Sequence, residues 1–454
     1  MSEFLPWKIQ HVTLRKPLPE LSSEAGFGGI FVVFWCDDIP VGQLMIPAPL
    51  LPITPAQFAT IVPPRIAKAV GDRIFAGCFQ DSPPAESQKH ATMQAEYLTQ
   101  LLELKNPLES CSRSILSSAS ADSDSAASPV SIVICTRNRP EALKKCLASL
   151  RKLSPQPTEI LVVDNDPSSG VTPEVTALFP EVRCISELKP GLSAARNTGI
   201  RNTTGKIIAF TDDDVTVHPR WVAAIRRVFD DRNVVASTGL VLPAELATRA
   251  QFAFQGNGLG WNMDYLAIDF DQKFFQDNLK SGVPVWRIGA GANMAFRREV
   301  FSSVGFFDER LGAGAAGCSE DSEIWYQILA AGQSCRYDPE AVVFHTHRSD
   351  ANGLSEQAFS YMRGHVSALL FQFDRYKHWG NIYRALVVLP RHLMTLAYRS
   401  LKLSIARTFM DPEKESFEPP LGPQIQGYFA GFAYYLRHRH LPPDPTASRT
   451  SRFA

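Results

Sequence analysis

The sequence predicts an α/β protein whose centre is an open, mostly parallel sheet. Three apolar segments, residues 130–135, 159–163 and 206–210, have the composition of buried parallel strands. Segments with helical spacing of apolar residues separate them, and this alternation favours parallel pairing with right-handed crossovers. A polar cluster directly follows each strand. We expect these clusters at the carboxyl edge of the sheet, where open α/β sheets bind ligands.

The first predicted strand, residues 130–135, is rich in β-branched side chains and leads into a helix. Pro140 suits the first helical position, and Glu141 complements the positive end of the helix dipole. The apolar residues that follow recur at helical spacing: Leu143, Cys146, Leu147 and Leu150. The second strand ends at Asp164. A shorter helix that opens near Gly191 then leads to the third strand.

Three consecutive carboxylates, Asp212, Asp213 and Asp214, follow the third strand. Like charges in a row repel one another unless something positive lies among them. A divalent cation that bridges a diphosphate would supply this charge, and oxygen ligands suit Mg²⁺ or Mn²⁺. The alternative is a solvated acidic turn, which is the usual fate of a run of charges.

Five motifs occur in a fixed order along the chain. They are CTRNRP at 135–140, VVDND at 162–166, GLSAARNTG at 191–199, FTDDD at 210–214 and SEDSEIW at 319–325. In this order they resemble family 2 glycosyltransferases of the GT-A fold, and the resemblance covers residues 129 to 347. It implies a metal-dependent, inverting transfer of a sugar from a nucleotide-diphosphate donor, more often a UDP-sugar, to a hydroxyl acceptor in polysaccharide or glycolipid assembly.

The resemblance also implies roles for the residues at the first two strand ends. Thr136 and Asp164 correspond to the residues that hold the nucleobase and ribose, and the neighbouring Arg137 and Asn138 are expected in the same nucleotide site. A carboxylate can accept the imide N–H of uracil. The alternative for Asp164 is a turn residue, because Asp-Asn-Asp-Pro is a common turn sequence.

Further implied roles fall on the diphosphate. Arg196 corresponds to the family arginine near the diphosphate, where a planar cationic fork suits phosphate oxygens. Its alternative is a surface ion pair. Asp212 and Asp214 match the ends of the D-x-D motif, with Asp214 as the direct metal ligand and Mn²⁺ or Mg²⁺ as the cofactor. Asp213 is expected either to face the ribose or to stay solvated.

Glu320 and Asp321 lie at the start of a predicted helix that ends near Gly332. Acidic residues in a first turn often only complement the helix dipole. The resemblance implies a second role, in which Asp321 is the catalytic base and Glu320 supports it or contacts the acceptor. A helix amino terminus would keep the Asp321 carboxylate ionised and directed into the cleft.

His345 and His347 follow a predicted strand at residues 341–343. Alternate residues of an extended chain point the same way, and imidazole is a common metal ligand. The resemblance places a metal-shell histidine near this point, so both are metal-ligand candidates; the alternative is a pair of satisfied histidines at a strand end.

Residues 312–317 match the spacing G-x-G-x-x-G. A dinucleotide site is disfavoured because no buried strand precedes them and because Glu320 and Asp321 would repel a pyrophosphate. A loop that covers the cleft and orders on substrate binding is the better interpretation, and residues 289–292 are interpreted in the same way.

Four regions are predicted from the 454 residues. Residues 1–110 form an accessory α+β domain that contains a hairpin near residues 30–46. Residues 111–128 are rich in Ser and Ala and read as a flexible linker. Residues 129–350 form the catalytic domain, and residues 351–454 form a helical region.

Composition indicates a cytoplasmic enzyme. The chain has 46 basic and 46 acidic residues, so no electrostatic case for nucleic-acid binding exists. The eight cysteines lack paired spacing, which favours reduced thiols. The amino end has no basic and apolar leader, and no apolar run reaches eighteen residues, so we expect neither a signal peptide nor a membrane span.

Between residues 375 and 407 the chain contains no acid, and basic residues alternate there with aromatic and aliphatic ones. This composition is typical of helices that lie on an anionic membrane, which would make the protein peripheral at the inner face. Helices packed on the catalytic domain or on a partner subunit are the alternative. Pro390 is expected to divide the segment into two helices.

Two other classes of function share parts of this pattern. A sugar nucleotidyltransferase should carry a basic, glycine-rich phosphate loop after its first strand, and CTRNRP contains no glycine. A non-catalytic sugar-nucleotide-binding relative should lack the aspartate triplet or the Glu320-Asp321 pair, and this chain has both. The acceptor is expected to be a carbohydrate or a lipid-linked sugar.

Overall fold

The structure is a computed structural model that describes residues 4–75, 128–256, 265–407 and 421–444. It contains a nine-stranded mixed sheet, a separate three-stranded sheet near the amino end, and a group of helices near the carboxyl end. The predicted α/β class with a large, mostly parallel sheet is confirmed.

The amino-terminal part contains β1 (Trp7–Thr13), β2 (Gly29–Cys36) and β3 (Ile39–Pro47), followed by helices α1 (Pro55–Ile61) and α2 (Pro63–Phe75). Strands β2 and β3 pair as the predicted hairpin, and β1 runs parallel to β2. One face of this sheet packs on α1 and α2, and the other packs on strands of the large sheet. Residues 76–127, which contain most of the predicted linker, lie outside the described residues.

The large sheet contains nine strands. They are β4 (Val130–Thr136), β5 (Glu159–Asp164), β6 (Val182–Ser186), β7 (Ile207–Asp212), β8 (Val215–Val217), β9 (Val234–Pro243), β10 (Ile268–Phe270), β11 (Asn293–Arg297) and β12 (Ser334–His345). Their order is β10-β12-β9-β11-β7-β4-β5-β6, and β8 pairs with β12. Strands β4, β5, β6, β7, β9 and β12 run in one direction, while the other three run against them.

Helices lie on both faces of this sheet and bury two apolar layers against it. They are α3 (Pro140–Leu150), α4 (Val171–Thr176), α5 (Leu192–Arg201), α6 (Trp221–Val228), α7 (Arg249–Gly256), α8 (Gln272–Asn278), α9 (Val300–Val304) and α10 (Glu320–Ala330). The predicted helix starts at Pro140 and Glu320 are confirmed. The segment before residue 312 is not a strand, as the argument against a dinucleotide site required.

The carboxyl ends of the central strands are in register. Thr136 pairs with Asp164 across β4 and β5, and Cys135 pairs with Asp212 across β4 and β7. The polar residues that follow these strands therefore meet at one edge of the sheet, as predicted.

The carboxyl-terminal part is helical, as predicted. It contains α11 (Ala351–Tyr376), α12 (Trp379–Tyr383), a π-helical turn (Arg384–Val388), α13 (Leu389–Arg407) and α14 (Leu421–His438). Helices α11 and α14 pack closely, because a Cβ at Gly427 would lie 2.4 Å from the Phe359 carbonyl oxygen. No helix in the described part of the chain is both long and apolar enough to cross a membrane.

The prediction that Pro390 separates two helices is wrong. Helical residues run from Trp379 to Arg407, and Pro390 is the second residue of α13. A proline in a regular α-helix lacks one N–H and collides with the carbonyl four residues earlier. Here the turn just before it is π-helical, with the Leu389 N–H bonded to the Arg384 carbonyl five residues back. The helix widens at the proline instead of ending there.

Candidate active site

Two adjoining cavities open at the carboxyl ends of β4, β5 and β7. The strand-end cavity has a volume of about 370 Å³ and is lined by residues that include Thr136 and Asn165. The central cavity has a volume of about 250 Å³ and is lined by residues that include Arg196 and Asp321. Asp212 and Asp214 line both cavities, as does Arg139. The aspartate triplet therefore stands between them.

Asp213 is buried rather than solvated, so the expectation of a solvated side chain is wrong. It accepts hydrogen bonds from the Thr136 hydroxyl at 2.7 Å and from Arg139 Nη1 at 2.9 Å. Burial and the neighbouring charge of Asp214 raise the pKa of Asp213 to about 6, against the attraction of Arg139. Its carboxylate thus ties the β4 loop to the end of β7.

Asp214 is held between two basic side chains. Arg139 Nη1 donates to its Oδ2 at 2.7 Å, and His345 Nε2 lies 3.2 Å from its Oδ1. Burial alone would raise the pKa of Asp214, but His345 and Arg139 bring it down to about 2. The His345 contact is an ion pair without hydrogen-bond geometry, so the buried Oδ1 has no hydrogen-bond partner among the described residues.

His345 and His347 contact each other, with their Nδ1 atoms 2.8 Å apart. Burial alone would lower the pKa of His345, but the Asp214 carboxylate raises it above its ordinary value. Burial and the charge of His345 lower the pKa of His347 to about 3, so its ring is neutral. His347 packs on Phe254, and its Nε2 is buried without a partner in the described structure. Of the two histidines, His345 is the one that contacts an aspartate of the triplet.

Arg196 is a buried ion-pair centre, with only 2% of its side chain exposed. Nη1 donates to Glu320 Oε1 at 2.7 Å, and Nη2 donates to Asp212 Oδ1 at 3.4 Å and to the Gly291 carbonyl at 3.3 Å. The alternative of a surface ion pair is therefore excluded. Arg196 places one cation between the aspartate triplet and the start of α10.

Asp321 lies at the first turn of α10 and faces the central cavity. It accepts the backbone N–H of Gly291 at 2.9 Å and that of Ser322 at 2.6 Å. Burial and the charge of Glu320 raise the pKa of Asp321 to about 7, in spite of the attraction of Arg196. A carboxyl group with this pKa exchanges a proton near neutral pH, as a general base must.

The residues after β4 and β5 have different surroundings. One oxygen of Asp164 accepts the Asp166 N–H at 3.0 Å, which is the predicted turn role, while its Oδ2 is buried without a partner in the described structure. Arg137 lines the strand-end cavity and lies 3.6 Å from Asp166. Asn138 donates to Asp166 at 2.8 Å, and neither Asn138 nor Asp164 is among the residues that line that cavity.

Three residues of the site were not among the predicted ones. Arg139 bridges Asp213 and Asp214, and only its place in CTRNRP could have indicated it. Asn165 accepts the Gly191 N–H at 2.8 Å and fixes the loop before α5. Gly291 holds Asp321, and a larger residue would crowd the site, because a Cβ there would lie 3.0 Å from Arg196 Nη2 and 3.3 Å from Asp321 Oδ2.

The two glycine segments form walls of this site. Residues 312–317 contribute Ala313 and Gly314 to the strand-end cavity, and three glycines in this segment have positive φ angles. The Leu192 N–H donates to the Ala313 carbonyl at 2.9 Å. The segment is therefore bonded to the start of α5 and forms part of the cavity wall.

The carboxylate oxygens of Asp212 and Asp214 are chemically suited to bind a divalent cation. Asp214 Oδ1 is buried and lacks a hydrogen-bond partner, and the Asp212 side chain beside it remains one-third exposed. Within the described ranges, no group of three or more His, Cys, Asp or Glu is arranged to hold a metal ion. Asp212 and Asp214 would therefore hold a cation only together with oxygen ligands from elsewhere, and Arg139 now neutralises Asp214.

Comparison with known proteins identifies the catalytic part of the chain. Residues 131–305 match the sequence profile of glycosyl transferase family 2. The chain is 28% identical over 230 residues to a pre-mycofactocin glycosyltransferase of Mycobacterium tuberculosis, covering 48% of this chain and 43% of the relative. It is 25% identical over 189 residues to a glucosyl-dolichyl phosphate glucuronosyltransferase of Haloferax volcanii, covering 40% of this chain and 57% of the relative. The chain thus spans about half the length of these curated relatives.

One solved structure with a similar arrangement is a mannosyltransferase from Pyrobaculum calidifontis in complex with GDP-Man and Mn²⁺. It superposes with a TM-score of 0.44 at 17% identity, and the match covers 68% of this chain and 87% of the other.

Proposed function

We propose that this chain, which matches the profile of glycosyl transferase family 2 over residues 131–305, transfers a sugar from a nucleotide-diphosphate donor to a hydroxyl acceptor. One observation carries the proposal. Asp212 and Asp214 of the aspartate triplet, the buried Arg196 and the carboxyl group of Asp321 border one cavity. A donor site for a charged diphosphate and a group that accepts a proton are thus side by side.

The strand-end cavity is the proposed nucleotide site. Its volume of about 370 Å³ is in the usual range for small-molecule pockets. Thr136 and Arg137 border it, and Asp164 lies at the end of the adjacent strand with one unpaired oxygen. The diphosphate would extend toward Arg196, whose guanidinium can form paired hydrogen bonds with phosphate oxygens.

Asp321 is the proposed catalytic base. Its carboxylate takes the proton of an acceptor hydroxyl, the hydroxyl oxygen forms a bond to the sugar C1, and the C1–O bond to the diphosphate breaks with its electron pair on the leaving oxygen. Attack from the side opposite the leaving group inverts the configuration at C1. A Mn²⁺ or Mg²⁺ ion held with Asp212 and Asp214 would neutralise the negative charge of the leaving diphosphate.

We propose a UDP-sugar as donor because uracil offers the imide N–H that the free oxygen of Asp164 can accept. The acceptor is proposed to be a carbohydrate or a lipid-linked sugar, in polysaccharide or glycolipid assembly. One relative is named for a glucosyl-dolichyl phosphate substrate, which supports the lipid-linked case.

Donor-nucleotide profiling by thermal shift tests this proposal. We expect UDP or GDP at 100 times its Kd to stabilise the protein by about 2.7 kcal/mol in the presence of Mn²⁺, and much less in the presence of EDTA. UMP, which differs from UDP only by the missing second phosphate, is the matched control and should produce a smaller shift. Absence of any nucleotide-dependent shift would contradict the proposed function.

We further propose that the helices after residue 375 contact an anionic membrane surface. Large apolar side chains are exposed along α12, the π-helical turn and α13: Trp379, Leu386, Met394, Tyr398 and Leu401. Arg391, Arg399 and Lys402 are also exposed there. By contrast, the Arg375 and Arg384 side chains donate to carbonyls of Val304 and Gly282, so they belong to the packed side of the segment. Side chains from residue 403 to 407 lie outside the described part.

The membrane proposal predicts co-sedimentation with vesicles that contain anionic lipid. Each engaged Lys or Arg should contribute about 1 kcal/mol at low salt, and raising the ionic strength should release the protein because the Debye length shortens. Replacing Met394 and Tyr398 together with serine should weaken binding. Replacing Leu178 and Leu188 together with serine is the control, because both side chains are exposed and lie far from these helices in the sequence. Binding that is absent at low salt, or equal in both double variants, would sink the idea.

A further inference from the structure

A third cavity lies between the start of α10 and the carboxyl-terminal helices. This helical cavity has a volume of about 460 Å³, and its walls come from α11, the π-helical turn, α13 and α14 together with Trp286. It shares Cys318, Ser319, Asp321 and Tyr361 with the central cavity. Asp321 therefore borders two spaces, one that faces the aspartate triplet and one that faces the helices.

Most of the wall of the helical cavity is apolar. Trp286, Ala358, Met362, Val388 and Leu389 line it. The Trp286 ring is held in an edge-on contact with His365, with ring centres 4.8 Å apart. A flat or chain-like apolar group would find dispersion contacts on several sides of this space.

Two polar residues of the wall indicate the kind of ligand atom that the cavity would bind. Gln424 is 8% exposed, and its buried Nε2 has no hydrogen-bond partner in the described structure, although it lines the cavity. Arg384 donates through Nε to the Gly282 carbonyl at 3.0 Å and packs over Trp286 at 4.7 Å. A buried amide donor without a partner is costly, and a ligand acceptor atom would satisfy it.

The charge of the wall favours an anion away from Asp321. Asp321 is the one acidic residue among the described lining residues, and Arg384 is the one arginine. Burial and the charge of Arg384 lower the pKa of His365 to about 3, and burial also lowers the pKa of His392. Neither ring therefore adds a fixed positive charge to the wall. Arg384 and Gln424 are thus the groups that can receive an anionic or acceptor atom.

We propose that the helical cavity is the acceptor site and that it takes an amphiphilic acceptor with a hydroxyl at Asp321, an apolar body against Trp286 and Leu389, and an anionic group at Arg384. This inference rests on the proposed function. It adds the chemical class of the acceptor and assigns the carboxyl-terminal helices to substrate binding.

The proposed site gives the transfer step a direction. The acceptor hydroxyl enters from the helical side, the donor C1 lies on the triplet side, and Asp321 takes the hydroxyl proton between them. The new O–C1 bond forms as the C1–O bond of the diphosphate breaks, and the diphosphate leaves with the electron pair. No oxidant or further reactant is needed.

Close backbone packing joins helix α11, which forms one wall of the helical cavity, to the residues just before Glu320. A Cβ at Gly364 of α11 would lie 2.6 Å from the Cys318 carbonyl oxygen. Arg363 Nε donates to the Ala316 carbonyl at 2.7 Å. Helix α11 therefore touches the chain just before Glu320, so that the acceptor wall and the proposed base are positioned together.

A binding experiment with geranyl phosphate as probe tests the inference, because it combines a ten-carbon apolar body with one anionic group. Full-length protein is titrated calorimetrically with geranyl phosphate, in parallel with UDP and Mn²⁺. Ala358→Phe fills the cavity and should weaken geranyl phosphate binding at least tenfold while UDP binding is unchanged. Ala351→Phe, the same change at an exposed position of the same helix, is the matched control and should bind both ligands like the wild type.

A second variant removes the charge. Arg384→Gln should weaken geranyl phosphate about tenfold while geraniol, which lacks the phosphate, is unaffected. Decanoate carries a carboxylate in place of the phosphate. Its binding shows whether the site at Arg384 takes a carboxylate as well as a phosphate. If Ala358→Phe also loses UDP binding, it has misfolded and Arg384→Gln decides.

Two results would overturn the inference while leaving the proposed function intact. They are UDP binding with no geranyl phosphate binding, and geranyl phosphate binding that Ala358→Phe and Arg384→Gln leave unchanged. Failure of the wild-type protein to bind UDP would instead overturn the proposed function.

Discussion

Replacing Asp214 with alanine is expected to abolish Mn²⁺-dependent nucleotide binding and turnover while the protein stays folded. Asp214 is the triplet residue with a buried oxygen that lacks a hydrogen-bond partner, and its low pKa keeps it ionised at every working pH. Its partners Arg139 and His345 come from a loop and a strand end rather than from the apolar core. The change should therefore remove function more than packing.

The measurement is calorimetric titration of UDP and GDP, each with Mn²⁺ and with EDTA, together with the melting temperature. We expect no cation-dependent binding by Asp214→Ala or Asp212→Ala, and a fall in melting temperature of only a few degrees, at about 2–4 °C per kcal/mol for a domain of this size. Asp230→Ala, at an exposed position after α6, is the matched control and should behave like the wild type. Activity with unchanged metal dependence in Asp214→Ala would defeat the assignment of the triplet.

The order of the strand-end motifs could be predicted because it depends only on local pattern. Apolar runs of strand length followed by polar clusters place Thr136, Asp164 and Asp212 at one sheet edge, and the register confirms it. Parallel strands that are neighbours in a sheet bring their carboxyl ends together whatever the side chains between them are.

Arg139 could not be placed in the same way. Asn138 has a φ of 56°, a left-handed conformation that reverses the course of the chain for one residue. The side chain before this residue and the one after it therefore point to different places. Arg137 lies near Asp166, whereas Arg139 reaches Asp213 and Asp214. A left-handed residue that is not glycine has no reliable sequence signal.

The pair of histidines could be predicted in part. Alternation along an extended chain predicts that His345 and His347 point the same way, and their ring centres lie 4.9 Å apart. The alternation does not indicate which of the two rings contacts Asp214. The helical cavity lies beyond sequence reasoning altogether. It needs Trp286, residues of α11 and Gln424 to come together, and only the packed tertiary structure shows that they do.

Replacing Asp321 with asparagine is expected to lower turnover by about 10²–10⁴ while nucleotide binding stays near that of the wild type. Asparagine is close in size, and its single oxygen can still accept the Gly291 N–H, but its NH2 group cannot accept the Ser322 N–H that the carboxylate also binds. What is lost is the ability to take a proton, together with one hydrogen bond. Glu320→Gln is the informative comparison, because it removes the buried partner of Arg196.

The two variants should differ in kind. Glu320→Gln leaves Arg196 with only one ion pair, its longer contact of 3.4 Å to Asp212, and breaking a buried ion pair costs up to about 3–5 kcal/mol, so the melting temperature should fall and nucleotide binding should weaken together. Asp321→Asn should lower the melting temperature less and leave nucleotide binding near that of the wild type. If Asp321→Asn weakened only nucleotide binding and left turnover intact, Glu320 would become the candidate base.

The pH dependence separates a base from a merely structural residue. The pKa of Asp321 is about 7 among Glu320, Arg196, Cys318 and Tyr361, so kcat/KM of the wild type should rise with pH through about 7 and then level off. Asp321→Asn should lack this rise.

The same raised pKa makes an independent prediction for stability. The folded protein binds the Asp321 proton more tightly than the unfolded chain, so this group stabilises the fold at low pH and loses that contribution as the pH rises through about 7. Asp321→Asn cannot ionise. Its melting temperature relative to that of the wild type should therefore rise as the pH increases from about 4 to above 7. A difference between the two melting temperatures that does not change with pH would mean that Asp321 lacks the raised pKa, and the assignment of Asp321 as base would fall with it.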